Sequence, residues 1–329
     1  YGMDTGVVGI IYADLLSGGL VLLLSLFLLP GRPRIILTRR ILVPLLAFGF
    51  PLYLNGILTF IFAKVDVMMI GNMADAASVA AIAIARKIPD NLKLLLSASF
   101  MTVFFPNMAS HIARKSPDTA RRLANMSITL MAFGISFIAL ILALLQEDLV
   151  RWLFTEKYLY AAWPFSIFGV VLVISITSSI MGMTLVAGGF SRAPLYVNVF
   201  VVLGNIVGNY FLIPVWGLVG AAVSSLAAGL LSLPLNQWYI QRLMFPVRTL
   251  GYVAPMGLMG SFWALRYLLD LDALPVRLLL LLCYPLLCLW AVPGLRIAIQ
   301  QVLAHGFSMA RFGSAKGCLL YTSPSPRDC

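Results

Sequence analysis

Stretch after stretch of about twenty residues in this chain carries few or no charges, and that feature decides most of what the chain can fold into. A helix of that length rises about 30 Å, the thickness of a bilayer's hydrocarbon. In hydrocarbon a backbone must satisfy its own N–H and C=O groups, which only helices and closed barrels do. Barrel strands alternate apolar and polar residues, whereas segments such as LLLLLCYPLLCLW at 278–290 are apolar on every face. Of 329 residues, 61% are hydrophobic and 11% charged. A soluble domain carries about 25% charged residues, so an ordinary soluble enzyme is excluded. The expected fold class is all-α, a polytopic transmembrane helical bundle.

Hydropathy predicts nine spans, at 6–29, 42–72, 76–110, 123–145, 162–188, 194–214, 217–240, 250–269 and 276–295. The second and third exceed what the hydrocarbon needs and must tilt, bend or project. The formal net charge is +11, but the basic residues sit in short loops, which is a topology signal rather than a nucleic-acid-binding face. One set of alternate loops holds Arg32, Arg34, Arg39, Arg40, Arg114, Lys115, Arg121, Arg122, Arg192, Arg242 and Arg248. The other holds Arg151, Lys157, Arg266 and Arg277, so the count is eleven against four. Lysine and arginine resist translocation, which makes the richer side cytoplasmic and ends the last span inside, before a tail with Arg296 and Arg311. Among the outer loops only 146–161 is long. Its Trp152, Tyr158 and Tyr160, with Trp163 beside it, suit an aromatic belt at the membrane surface, and no soluble domain fits anywhere.

Both termini read as unnatural. The chain opens at Tyr1 without an initiator methionine, as a fragment of a longer protein would, and GCLLYTSPSPRDC at 317–329 resembles translated adapter sequence. Four cysteines, Cys283, Cys288, Cys318 and Cys329, form no C-x-x-C or Cys/His cluster. His111 and His305 are isolated, and no G-x-S-x-G, P-loop or dinucleotide fingerprint occurs. No catalytic residue, metal ligand or cofactor is expected, and chemistry has to happen between helices.

The informative residues are polar ones at membrane depth. Lys64 and Asp66 lie inside the second span, and Arg86, Lys87, Asp90 and Lys93 inside the third. Each ionised group at mid-membrane costs about 2.5–3.5 kcal/mol, so none can face lipid without a partner or a wet cavity. Arg86, Asp90, Lys93 and Ser97 follow i, i+4, i+7, i+11 on one helix face, and Asn55, Thr59 and Asp66 stripe the preceding helix. Two readings stand. The spans line a cationic recess balanced by Asp66 and Asp90, or Arg86–Asp90 is a structural pair and Lys64 snorkels to the surface. A second stripe, Asn198, Asn205 and Asn209, suits sugar hydroxyls or helix–helix hydrogen bonds. Gly204/Gly208, Gly217/Ala221 and Gly220/Ser224 are small-xxx-small pairs, suited to close helix contact, and Pro89 predicts a kink beside the charges.

Three segments carry a family resemblance. FGFPLYLNGILTFIFAKVDVMMIG at 48–71, SASFMTVFFPNMA at 97–109 and NIVGNYFLIPVWGLVGAAVSS at 205–225 resemble Wzx-type polysaccharide-biosynthesis flippases. The last motif is shared with lipid II flippases and, more weakly, multidrug exporters of the same superfamily. The resemblance covers 6–245 and extends to 250–300 by hydropathy. It implies the C-terminal lobe of a fourteen-helix, two-lobe transporter, with the first span here as the sixth helix and the last as the fourteenth. Residues 1–40 would be the end of the N-terminal lobe and its linker, 41–245 a six-helix lobe, 246–312 two extra helices with a tail, and 313–329 the non-native end.

The implied function is export of an undecaprenyl-pyrophosphate-linked oligosaccharide across the cytoplasmic membrane by alternating access. Its partners are membrane lipid, the lipid-linked oligosaccharide and polysaccharide assembly proteins, with no nucleic acid. In this reading Lys64, Arg86, Lys87 and Lys93 attract the anionic cargo, and Asn198, Asn205 and Asn209 contact sugar. Asp66 and Asp90 balance charge and bind a coupling H⁺ or Na⁺. The alternatives are a lipid II flippase or a multidrug/cation antiporter, whose cavity should be net acidic.

Overall fold

The computed structural model describes residues 6–28 and 38–300. Among these residues every regular element is helical. In order they are α1 (Gly6–Leu28), α2 (Arg39–Met73), α3 (Ala76–Ala113), α4 (Pro117–Leu144), α5 (Gln146–Phe154), a 3₁₀ turn (Glu156–Ala161), α6 (Ala162–Ala187), α7 (Arg192–Leu243), α8 (Leu250–Leu268) and α9 (Leu274–Ala291). Arg32, Arg34, His305, Arg311, Cys318, Cys329 and the proposed non-native end 313–329 lie outside the described residues.

The chain divides into two units, 1–47 and 48–329. The first holds α1, a run of apolar residues broken by Asp14, and the opening turns of α2. The second holds everything else.

Among the described residues six helical segments are long and apolar enough to cross a membrane, and the protein is a multi-pass membrane protein. One of the six is α7, which joins two of the nine expected spans. Helix α8 is not among them, and the apolar part of α1 is the shorter Tyr12–Leu28.

Local chemistry sets the ends. Asp75 caps α3: its Oδ1 accepts from the Ser78 hydroxyl and, at 3.1 Å, from the Ser78 amide. Those bonds, the hydroxyl first, hold the Asp75 carboxyl below the usual range. The cap therefore contributes fully above the ordinary carboxylate pKa and is lost as pH falls through the lowered value. Pro117 opens α4, where its missing N–H costs nothing. Gly189, at φ +88°, ends α6, while α3 continues through Pro89 and Pro106. The expected outer loop at 146–161 is instead α5 and the 3₁₀ turn, and α5 has Glu147 and Asp148 in its first turn and Arg151 in its last, which favours a short helix.

Helix α7 is two arms folded at Gly217, whose φ +54° and ψ −127° are open to glycine and strained for other residues. The arms then lie close enough that a Cβ on Gly208 would run into the Ser224 side chain. Helix α6 sits at the centre and packs against α3, α4 and α7, and its Ile174, Ile176, Ile180 and Met181 are fully buried. Helices α8 and α9 close on α4 through Tyr284. Its ring stacks on Phe133 and Phe137 at 5.9 and 6.0 Å, and its hydroxyl donates to the Phe133 carbonyl at 3.3 Å.

Arg266 and Arg277, read above as loop charges, are structural. Arg266 is 3% exposed and donates through Nη1 to the Ala143 and Leu144 carbonyls at 3.2 and 2.9 Å; its Nε lies 3.3 Å from Asp272 Oδ1. Arg277 donates to the Leu144 carbonyl at 3.2 Å and to Asp148 at 2.6 Å. Together they satisfy the open carbonyls where α4 ends, the negative pole of that helix. Arg266→Ala should therefore cost about 1–3 kcal/mol by stranding buried carbonyls. Arg266→Lys should recover only part of it, because an ammonium lacks the planar fork. Thermal unfolding midpoints in detergent measure both.

Candidate functional site

Asp66 lies about two turns before the end of α2 and is fully buried. A carboxylate there is stable only if donors replace the water it has lost. Three do. Arg86 Nη1 of α3 donates to Oδ2, Ser225 Oγ of the second α7 arm donates to Oδ2 at 2.6 Å, and Asn209 Nδ2 of the first arm donates to Oδ1 at 2.8 Å. The fold at Gly217 makes this possible, since it brings positions 209 and 225 to one point.

Arg86 is equally committed. It is 6% exposed, its Nε lies 3.2 Å from Asp90 Oδ2, and its guanidinium lies over the Phe168 ring at 4.8 Å. Asp90 has a half-exposed side chain. The four cations of the expected recess are thus not equivalent. Arg86 pairs with the two carboxylates because a guanidinium so deeply buried requires counter-charge, whereas Lys64 and Lys87 are exposed.

The asparagine stripe also divides. Asn205 and Asn209 are fully buried inside the hairpin of α7; Asn205 Nδ2 reaches Ser225 Oγ at 3.1 Å, and Ser224 Oγ donates to the Asn205 carbonyl at 2.9 Å. Neither is among the residues that line the recess described below. Asn198, nearer the start of α7, donates from Nδ2 to Asn55 Oδ1 of α2 at 2.7 Å and does line it.

The recess is a space of about 170 Å³ among α2, α3, α6 and both arms of α7. Lys93 is the one charged residue among its lining. It enters none of the ion pairs among the described residues. Asn55, Thr59, Asn198, Ser175, Ser178, Ser179, Ser232 and Asn236 are its polar uncharged lining. Asn236 is 3% exposed; its Nδ2 donates to Ser178 Oγ at 2.9 Å and its Oδ1 has no partner. The serines of α6 and Asn236 escaped the sequence reading. The polar run SITSS at 175–179 and the Asn236–Gln237 pair in the second arm of α7 are the signals the sequence offers. Among the described residues no cluster of histidine, cysteine or acidic groups could hold a metal.

The geometry sets a clear expectation for Asp66. Asp66→Leu should destabilise the bundle by about 3–5 kcal/mol because it leaves a buried guanidinium with only the half-exposed Asp90 as counter-charge, and Asp66→Leu with Arg86→Met should recover most of the loss. Unfolding midpoints of the two variants decide it; a double variant as unstable as the single would show that the pair is not what matters.

Comparison with known proteins accords with this architecture. Residues 2–163 match the family described as polysaccharide biosynthesis protein. None of the curated proteins compared with the chain matches it. Among solved structures, a lipid II flippase in an inward closed conformation is 16% identical with a TM-score of 0.60, over 78% of this chain and 55% of the flippase. A MOP-superfamily transporter from Pyrococcus furiosus, described by the reverse polarity of its binding pocket, is 16% identical with a TM-score of 0.54, over 68% of this chain and 52% of its own. An outward-facing multidrug resistance MATE transporter of the same superfamily is 15% identical with a TM-score of 0.53, over 81% and 68%. At these identities the likeness is one of fold, and the chain spans about half the length of the first two.

Proposed function

We propose that this chain, whose residues 2–163 match the polysaccharide biosynthesis protein family, supplies the C-terminal lobe of a transporter that moves a lipid-linked oligosaccharide across the cytoplasmic membrane. The cargo in this reading is undecaprenyl-pyrophosphate-linked, its destination is cell-surface polysaccharide, and the C-terminus is cytoplasmic. Transport proceeds by alternating access, as in transporters with midplane sites between two repeats. Assembly proteins of the same polysaccharide would receive the product.

One observation carries the reading. A polar recess at membrane depth presents an unpaired ammonium, Lys93, beside amides and hydroxyls, and no carboxylate lines it. A binding site for organic cations needs the opposite sign, which sets the multidrug antiporter aside. Amides and hydroxyls in an apolar wall suit a polyhydroxylated cargo, because each buried polar group needs a partner. Lys64 and Lys87, exposed on α2 and α3, serve here as outlying attractors for the anionic headgroup. Asp66 is filled by its three donors, so a coupling H⁺ or Na⁺ falls to Asp90, the carboxylate with an accessible side chain.

The test is translocation. Proteoliposomes holding the whole protein and a labelled undecaprenyl-pyrophosphate oligosaccharide should expose the glycan to an impermeant glycosidase. Lys93→Ala should slow that exposure at least about tenfold, the loss of roughly one charge-assisted hydrogen bond at 1.4 kcal/mol per decade. Lys93→Arg should retain most of it. Glycan exposure no faster than in empty liposomes would refute the reading.

A further inference from the structure

The recess is small and carries one positive charge, and those two facts restrict what it can hold. At about 170 Å³ it falls below the roughly 300 Å³ at which pockets for drug-sized ligands begin, so it suits one ring rather than a chain of rings. Lys93 has no ion-pair partner, and the nearby Asp90 accepts from Arg86. A neutral ligand would leave the ammonium uncompensated at membrane depth, and a multiply charged pyrophosphate would bring more negative charge than one ammonium offsets. A ligand with a single negative charge leaves neither excess.

The rest of the wall specifies donors and acceptors. Asn236 Oδ1 is buried without a partner and needs a donor, which a hydroxyl supplies. Ser175, Ser178 and Ser179 on α6 offer hydroxyls that donate or accept, and Asn198 and Asn55, also in the lining, form an amide pair that a ligand hydroxyl can join.

We propose that this recess binds one monoanionic sugar unit, a uronic acid or similar carboxylated hexose, with its carboxylate on Lys93 and a ring hydroxyl donating to Asn236 Oδ1. The assignment rests on the glycan-transport reading and deepens it: the recess reads a sugar of the glycan, and the pyrophosphate is held elsewhere. The flanking amides then discriminate by hydroxyl placement, since a buried amide left unpaired penalises the wrong sugar.

The experiment uses the whole protein in lipid nanodiscs and the free sugars, read by thermal unfolding. Glucuronate should raise the midpoint in a saturable way, whereas glucuronamide, its neutral isostere, and glucose should not at the same concentration. Lys93→Met should abolish the glucuronate shift, and Asn236→Ala should weaken glucuronate binding at least about fivefold, the 1 kcal/mol scale of one hydrogen bond. Because the isostere comparison is made within the wild-type protein, it stands even where a variant misfolds. Equal shifts from glucuronate and glucuronamide would overturn the proposal. So would a shift from inorganic pyrophosphate alone, or from glycerol 1-phosphate in preference to glucuronate, which would give the recess to a lipid headgroup. Loss of translocation with an intact glucuronate shift would sink the transport reading and leave the sugar site standing. Translocation without a glucuronate shift would do the reverse.

Discussion

A carboxylate and a guanidinium that hydrocarbon cannot solvate hold this bundle in register. Asp66 and Arg86 lie on consecutive antiparallel helices, both away from water, and each alone would cost several kcal/mol. Their pairing fixes the rotation of α2 against α3. Asn209 and Ser225 then dock on the same carboxylate, so the two arms of α7 are tied to that pair. Small residues at the crossings allow it, because Gly208 packs on Ser224 without a side chain between. The apolar layer around the knot, with Ile70, Ile82, Phe165 and Phe168, keeps water out and so keeps the electrostatic interaction strong.

The same pairing shapes the neighbouring recess. Once Arg86 is spent on Asp66 and Asp90, the lining of the recess is left with Lys93 as its charge. A site with one cation and many neutral hydrogen-bonding groups selects by shape and hydroxyl pattern as well as by sign. A site with four would bind any polyanion. The bundle therefore separates two charges along one face of α3: Arg86 pairs with Asp66 and Asp90, and Lys93, seven residues later, lines the recess.

How far the sequence reveals this differs from residue to residue. Hydropathy marks the spans, because a segment that cannot face water declares itself by composition alone, and the turn chemistry at Asp75, Pro117 and Gly189 is local. The i, i+4 relation of Arg86 and Asp90 is legible for the same reason. Asn205 and Asn209 are visible as polar residues on one face, but the sequence does not say what that face meets. Arg266 and Arg277 mislead outright: as charges in loops they read as topology signals, yet both cap the end of α4, more than 120 residues earlier in the chain.

The chain's own order of residues determined that it is helical, that it crosses a membrane, and that a handful of ionisable groups must find partners or water at membrane depth. Those outcomes follow from hydrocarbon's refusal to solvate polar atoms, which acts on every segment by itself. Which partner each group finds was decided only by tertiary structure. Asp66 meets Arg86 twenty residues on, Ser225 from 159 residues on, and Asn209 across the Gly217 fold. Such pairings depend on the rotation and crossing of whole helices, and those are set by packing among residues far apart in sequence.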